Sequence, residues 1–274
     1  HAPWTNGYEA MIYTVWATML AGLIFSRKSD LTLSATTLVS SMLLLFTWIS
    51  YLDPTITNVV PVLNSYWLMI HVSVIVSSYG FLIMGGFLGL LSLILMIFKS
   101  NKNKEIINSK ISELTIINEK TLIIGLFMLT IGTFLGGVWA NESWGRYWGW
   151  DPKETWALVS ILVYAFILHM RFVPGLQAKH TFNVASVIGV YSVLMTYFGV
   201  NHLLSGLHSY AAGEKLNVSI WMQIPISVKV SVFIVFLIIF LSKMQEYNNK
   251  KREEATTVLL ILITLVLLFY NNSI

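Results

Sequence analysis

Five of the ten tryptophans, Trp139, Trp144, Trp148, Trp150 and Trp156, fall within 18 consecutive residues. An aromatic belt at a membrane interface accounts for about one or two tryptophans in a loop between spans, not for this density. The run Trp-Gly-Arg-Tyr-Trp-Gly-Trp-Asp-Pro-Lys-Glu-Thr-Trp (144–156) reads as an aromatic platform, with Gly145 and Gly149 letting the backbone turn tightly or approach a ligand. Such a surface suits a large, planar, apolar molecule. Arg146 and Lys153 would suit carboxylates carried by that molecule. Asp151 and Glu154 are near enough in sequence to neutralise the same two cations as local structural pairs, so both uses of the charges stay open.

The histidines narrow the chemistry. His71 lies near one end of a long apolar run, and His208 follows another such run on the side that carries the tryptophans. Neutral imidazole is a common axial ligand for haem iron, and two imidazoles can hold it from opposite faces. Haem is flat, apolar and carries two propionates, so one ligand accounts for the tryptophans, Arg146 and Lys153, and the pair His71 and His208 together. His169 is different. It lies about 28 Å along a helix from Trp150 at ~1.5 Å per residue, too far to share that site. An ionisable residue at that depth marks a second, intramembrane ligand site, and a two-histidine haem site there needs a partner this chain does not supply. His180 and His202 read as structural or solvated residues, and His1 is uninformative.

These residues need a scaffold, and the composition says which kind. Apolar residues make up 56% of the 274-residue chain and Asp, Glu, Lys and Arg 11%, less than half the charged share of an ordinary soluble domain, about 25%. The expected architecture is all-α: a single integral membrane domain over 1–274, a polytopic transmembrane helix bundle of about eight spans. The spans are Tyr8 to Ser26, Leu31 to Leu52, Trp67 to Phe98, Thr121 to Ala140, Thr155 to Met170, Phe182 to Leu204, about Ile226 to Ser242, and an extra C-terminal span, Ala255 to Tyr270. The third, about 48 Å long at ~1.5 Å per residue, should overshoot the bilayer. Of 17 lysines and arginines, 13 fall in one set of loops, which puts that set in the cytoplasm and the N-terminus outside. The outer loops are then 53–66, 141–154 and 206–225. The inner segment 99–120 spaces isoleucines and a leucine among Lys and Glu and reads as an interfacial amphipathic stretch or a plain linker.

The net charge of +4 resides in short stretches between apolar runs, where it sets orientation and gives no footprint for nucleic acid. With no cysteine there is no disulfide framework and no nucleophilic thiol, so any thiol chemistry must use a partner's sulfur. A start at His1, without an initiator Met or a signal-peptide pattern, reads as the interior of a longer product.

The tryptophan segment from Trp139 through Trp156 (139–156) resembles the "WWD" segment of the CcsA/ResC-type cytochrome c biogenesis proteins. The opening His-Ala-Pro-Trp-Thr-Asn-Gly-Tyr-Glu (1–9), Asn-Ser-Tyr-Trp-Leu-Met-Ile-His (64–71) and Gly-Leu-His-Ser-Tyr-Ala (206–211) are similar to further segments of that haem-handling family. The likeness runs from about residue 1 to 242, leaving 255–270 beyond it. It implies that His71 and His208 ligate haem b externally beside the platform of Trp139, Trp144, Trp148, Trp150, Asp151 and Trp156, with Arg146 and Lys153 as candidate propionate contacts. It implies that His169 is a transmembrane haem ligand whose opposite number belongs to a CcsB/ResB-like partner or fused domain.

The implied activity is haem delivery across the membrane and its covalent attachment to the Cys-x-x-Cys-His thiols of apocytochrome c, a holocytochrome c synthase working with that partner. The implied setting is a bacterial inner membrane or a plastid thylakoid membrane, with the WWD loop on the periplasmic or lumenal side. The alternative is a haem exporter or chaperone that presents haem without catalysing attachment. A quinone-reducing b-type protein fits less well, because it would pair histidines at matched depth on facing helices.

Overall fold

A hydrocarbon core offers backbone N–H and C=O groups no water, so a chain this apolar must satisfy them internally, and helices do so within a single segment. A computed structural model describes residues 7–26, 29–49, 54, 65–100, 103–204, 206–208 and 226–246, and among these there is no strand. The helices are α1 (Gly7–Ser26), α2 (Asp30–Ile49), α3 (Tyr66–Ile97), α4 (Lys104–Trp144), α5 (Pro152–His169), α6 (Lys179–Leu194), α7 (Val200–Leu203) and α8 (Ile226–Glu246). A short 3₁₀ turn, Met170–Phe172, ends α5, and a π turn, Met195–Gly199, joins α6 to α7 without a break. Six helical segments, running through α1 to α5 and from α6 into the π turn, are long and apolar enough to cross a membrane. The protein is an all-α, polytopic membrane bundle. The expected span Ala255 to Tyr270 lies outside the described residues, as do most of the expected outer loops 53–66 and 206–225.

Two boundaries differ from expectation for physical reasons. The inner segment 99–120 is neither a linker nor a separate interfacial stretch over most of its length. From Lys104 it is the first half of α4, a single 41-residue helix. Ile111, Leu114 and Ile117 recur at three-residue spacing and are buried; Leu114 and Ile117 pack with Phe25, Ala35, Met84 and Leu88. That stripe gives the segment a partner face, while Lys110 and Glu113 pair at 3.1 Å on its polar side. The sixth span begins three residues earlier than expected, at Lys179, and its continuity through the π turn shifts the phase of α7 against α6.

α3 is the central helix, packed most extensively on α4 and also on α6, α1, α8 and α2. Small residues permit these approaches, as in other membrane bundles. A Cβ on Gly89 would collide with Ser186 Oγ and lie 2.9 Å from the Asn183 carbonyl oxygen, so glycine there lets α3 lie directly on α6. Beside it, Asn118 Nδ2 of α4 donates to Ser186 Oγ (2.9 Å) and Asn183 Oδ1 (3.2 Å), and Asn183 Nδ2 donates to Thr115 Oγ1 (2.9 Å). Hydrogen bonds of this kind between membrane helices contribute about 0.6 kcal/mol each on average, so the close packing of the helices stabilises this contact more than its polar groups do.

Gly89→Ala should therefore destabilise the bundle by about 1–3 kcal/mol, the usual cost of overpacking, read from reversible unfolding in mixed micelles. Leu45→Ala, at a side chain 54% exposed on α2, should change it by less than about 0.5 kcal/mol.

Candidate functional site

The site lies where α4 ends and α5 begins. Trp144 closes α4, and Gly145 follows at φ +71° with its N–H donated to the Asn141 carbonyl (2.9 Å), a left-handed cap that glycine adopts without strain. The chain then reaches Trp150, the single non-glycine residue with positive φ (57°) among the described residues. A bulky side chain in that region is strained and persists only when its surroundings impose it. Here they do. Glu154 Oε2 accepts the N–H of Gly149 (2.8 Å) and of Asp151 (3.2 Å), clamping the backbone on both sides of Trp150 and leaving its indole 71% exposed.

Asp151 completes a capping box on α5. Its side chain accepts the Lys153 N–H (3.1 Å) while Glu154 reaches back, and Pro152 occupies the first helical turn. The carboxylate also leaves its own helix. Oδ1 accepts the Leu207 N–H at 2.6 Å, and Oδ2 accepts from His208 Nδ1 at 2.8 Å. Burial pushes the Asp151 carboxyl upward, but the hydrogen bond and charge of His208, with the two backbone donors, hold it below its usual range. Burial pushes the His208 imidazole below its usual value, partly offset by Asp151. These directions favour the carboxylate form of Asp151 and the neutral form of the His208 ring.

A carboxylate only accepts, so the His208 proton is on Nδ1 and Nε2 keeps its lone pair. His71 reaches the same tautomer by another route: its Nδ1 donates to the Trp67 carbonyl one turn back (2.8 Å). Both rings rest against Trp139. The centroid of its indole lies 5.3 Å from His71 and 5.7 Å from His208, so the two imidazoles are no further apart than those distances laid end to end. Trp139 is fully buried, and its indole N–H has no hydrogen-bond partner among the described residues. Trp144 meets Trp139 edge to face at 4.7 Å and His208 at 5.0 Å.

The other expected residues are distributed around this centre. Trp148 and Trp150 form a separate edge-to-face pair at 5.9 Å, and Trp156 lies one turn into α5 with its carbonyl 3.1 Å from Thr196 Oγ1 in the π turn. The indoles thus meet at steep angles around two centres and do not form one coplanar shelf. The Arg146 guanidinium is exposed and lies over Gly149, where a Cβ would collide with it. Lys153 Nζ donates to Asn201 Oδ1 on α7 (2.8 Å). Among the described residues, Asp151 and Glu154 form no ion pair with Arg146 or Lys153. His169 ends α5, exposed, with Nδ1 donating to the Ala165 carbonyl (2.6 Å) and its ring 6.0 Å from Phe172. No second histidine faces it among the described residues. His180 is buried, with Nε2 3.0 Å from Ser242 Oγ. The side chain of His202, and residues 209–211, lie outside the described residues.

Residues 4–208, from before α1 to His208 itself, match the family described as cytochrome C assembly protein. The chain belongs to that family. Over 216 residues it is 52% identical to Protein NrfI of Wolinella succinogenes, a match covering 79% of this chain and 24% of the relative. It is 37% identical over 240 residues to the cytochrome c biogenesis protein CcsA of Prochlorococcus marinus, covering 77% of this chain and 76% of that one. The corresponding match to the CcsA protein of a Synechococcus species is 36% over 241 residues, 77% of this chain and 78% of the relative. The chain thus spans about a quarter of NrfI and about three-quarters of the CcsA proteins. As a cytochrome c assembly protein it has a role in cytochrome c biogenesis, and the matched region contains the tryptophan run with His71, His169 and His208.

Asp151 joins the start of α5 to the 206–208 turn, so its removal should be felt in both. Asp151→Ala should cost about 2–4 kcal/mol, a lost cap plus a lost charged hydrogen bond, and should accelerate amide exchange at Leu207. Asp151→Asn, which can still cap, should lose less than half of that. Unchanged Leu207 exchange in the alanine variant would show that the carboxylate does not hold the turn.

Proposed function

We propose that this protein carries haem b to the outer face of a bacterial inner or thylakoid membrane and attaches it covalently to apocytochrome c, acting with a CcsB/ResB-like partner. The observation that carries the reading is the convergence of His71 and His208 on Trp139, each with Nδ1 engaged and Nε2 without a hydrogen bond among the described residues. Metal-ligating histidines characteristically donate their other ring N–H to a carboxylate or a carbonyl, which fixes the tautomer and raises ligand basicity. The donor set therefore fits haem iron, and the unpaired indole N–H of Trp139 leaves one donor for a polar group on the cargo. Arg146, exposed in the tryptophan run, is a candidate for a propionate. Lys153 would have to release Asn201 to serve.

Attachment adds a cysteine S–H across each haem vinyl group: sulfur bonds to the inner vinyl carbon, the proton ends on the outer one, and nothing leaves. The chain has no cysteine and needs none, because both thiols come from the Cys-x-x-Cys-His acceptor. The contribution of this protein is orientation, which in favourable intramolecular reactions lowers barriers by about 7–11 kcal/mol. The cytochrome's own histidine then replaces one external imidazole, so the product has a reason to leave. His169 belongs to the preceding step. It is exposed on the bundle surface with Nε2 bare, an arrangement that suits a ligand completed by the partner's histidine, whether the partner is a separate chain or part of a longer one.

The test is reconstitution of the membrane complex with haem and a reduced Cys-x-x-Cys-His peptide. Wild type should form thioether. His71→Gly and His208→Gly should each lose at least about tenfold in rate, with partial recovery in added imidazole. His169→Gly should lower the haem that reaches the outer site while leaving the attachment rate per bound haem unchanged. Haem-loaded wild type that forms no thioether would instead make the protein a haem exporter or chaperone.

A further inference from the structure

At the end of the bundle opposite Trp139, the ends of α3, α4, α6 and α8 line an open cleft of about 280 Å³. Met96 and Ile111 give it apolar walls, and Lys99, Ser112, Lys179 and Asn108 give it cations and hydrogen-bonding groups. The walls are fixed across helices: His180 and Ser242 meet at 3.0 Å between α6 and α8, and Gln245 Nε2 donates to the Lys99 carbonyl at 2.6 Å. Lys179 Nζ donates to Ser112 Oγ at 2.5 Å. An ammonium has three N–H groups, so two remain for another acceptor.

Lys179 is exposed and Lys99 half-buried, so their charges are accessible to an incoming anion. Among the described residues, neither Lys99 nor Lys179 is paired with a carboxylate. A second cleft shares Ser112 and Lys179 with the first, and Glu119, the acidic residue lining it, is already bound to Arg171 at 2.7 Å. Lys179 also opens α6, whose first turn has no acidic residue and whose Ala178 cap offers no side-chain acceptor. A cation at the positive end of a helix is unfavourable unless an anion accompanies it.

We propose that the first cleft binds the phosphate of an anionic phospholipid from the cytoplasmic leaflet, with the glycerol against Met96 and Ile111 and the acyl chains leaving between the helices. Basic pockets between membrane helices on the cytoplasmic side bind anionic headgroups in this way. The cleft can take a phosphate and glycerol, and its described lining includes neither a tryptophan nor His71, His169 or His208. The inference stands independently of the proposed function.

Native mass spectrometry of the delipidated full chain, titrated with phosphatidylglycerol, tests it. Wild type should retain one tightly held lipid. Lys99→Gln or Lys179→Gln alone should weaken retention about fivefold and the double variant about 30-fold, while Lys110→Gln plus Lys120→Gln, exposed on α4 and outside the cleft lining, should leave it unchanged. Ser112→Met, which keeps both lysines but fills the cleft and removes the Lys179 anchor, should also lose the lipid. Equal retention by the double variant and wild type, or equal retention of phosphatidylcholine, would overturn the proposal. So would competition by millimolar inorganic phosphate, which would assign the site to a free anion.

Discussion

The candidate site at the α4–α5 junction depends on one carboxylate. Asp151 starts α5, holds the Leu207 N–H and orients His208, so a single buried side chain joins two segments separated by more than fifty residues. Its cost of burial is offset because each oxygen is occupied: Oδ1 by a backbone donor, Oδ2 by a backbone donor and an imidazole. Glu154 has the parallel role on the other side, holding Trp150 in a left-handed conformation that an isolated chain would avoid. The Asp-Pro-Lys-Glu sequence is thus a helix start whose two acids also build the site.

The rest of the bundle supplies rigidity around that point. His71 is carried on α3, the helix that most of the others touch, and the carbonyl of Trp67 sets its ring. Trp139 is carried on α4, which packs along α3 and continues through the inner segment as one rod. The π turn brings Thr196 against Ser160 (3.0 Å) and the Trp156 carbonyl, tying α6 and α7 to the beginning of α5. π turns are rare and frequent at functional sites; here one adjusts the helix that leads to Asn201 and His208.

Much of this is legible in the sequence because composition and periodicity report what lipid demands. Charge-free runs mark the six described helical segments long and apolar enough to cross a membrane, and of the residues picked out with the tryptophan run the fold brings His71, His208 and Trp144 together around Trp139, while Trp148 and Trp150 pair apart. What spacing cannot reveal is that Asp151 and Glu154 serve backbone N–H groups and His208, because Leu207 is 56 positions from Asp151 and its amide has no sequence signature. The inner segment is hard to read for a related reason. Its apolar stripe is too sparse for a membrane span, and only the facing surface of α3 and the α1–α2 pair explains why it stays helical. The separation of His169 from the tryptophan run along α5 is readable, but its exposure at the end of that helix depends on which face packs inward.

The account stands or falls on whether His71 and His208 ligate the same iron. The most direct measurement is electron paramagnetic resonance of the ferric haem-loaded protein in a His169→Gly background, so that only the outer site contributes. The expected result is a low-spin, bis-imidazole signal that turns high-spin in both the His71→Ala and His208→Ala variants and returns to low-spin with imidazole. A low-spin signal that persists unchanged in either variant would place the iron on other ligands and contradict the central claim.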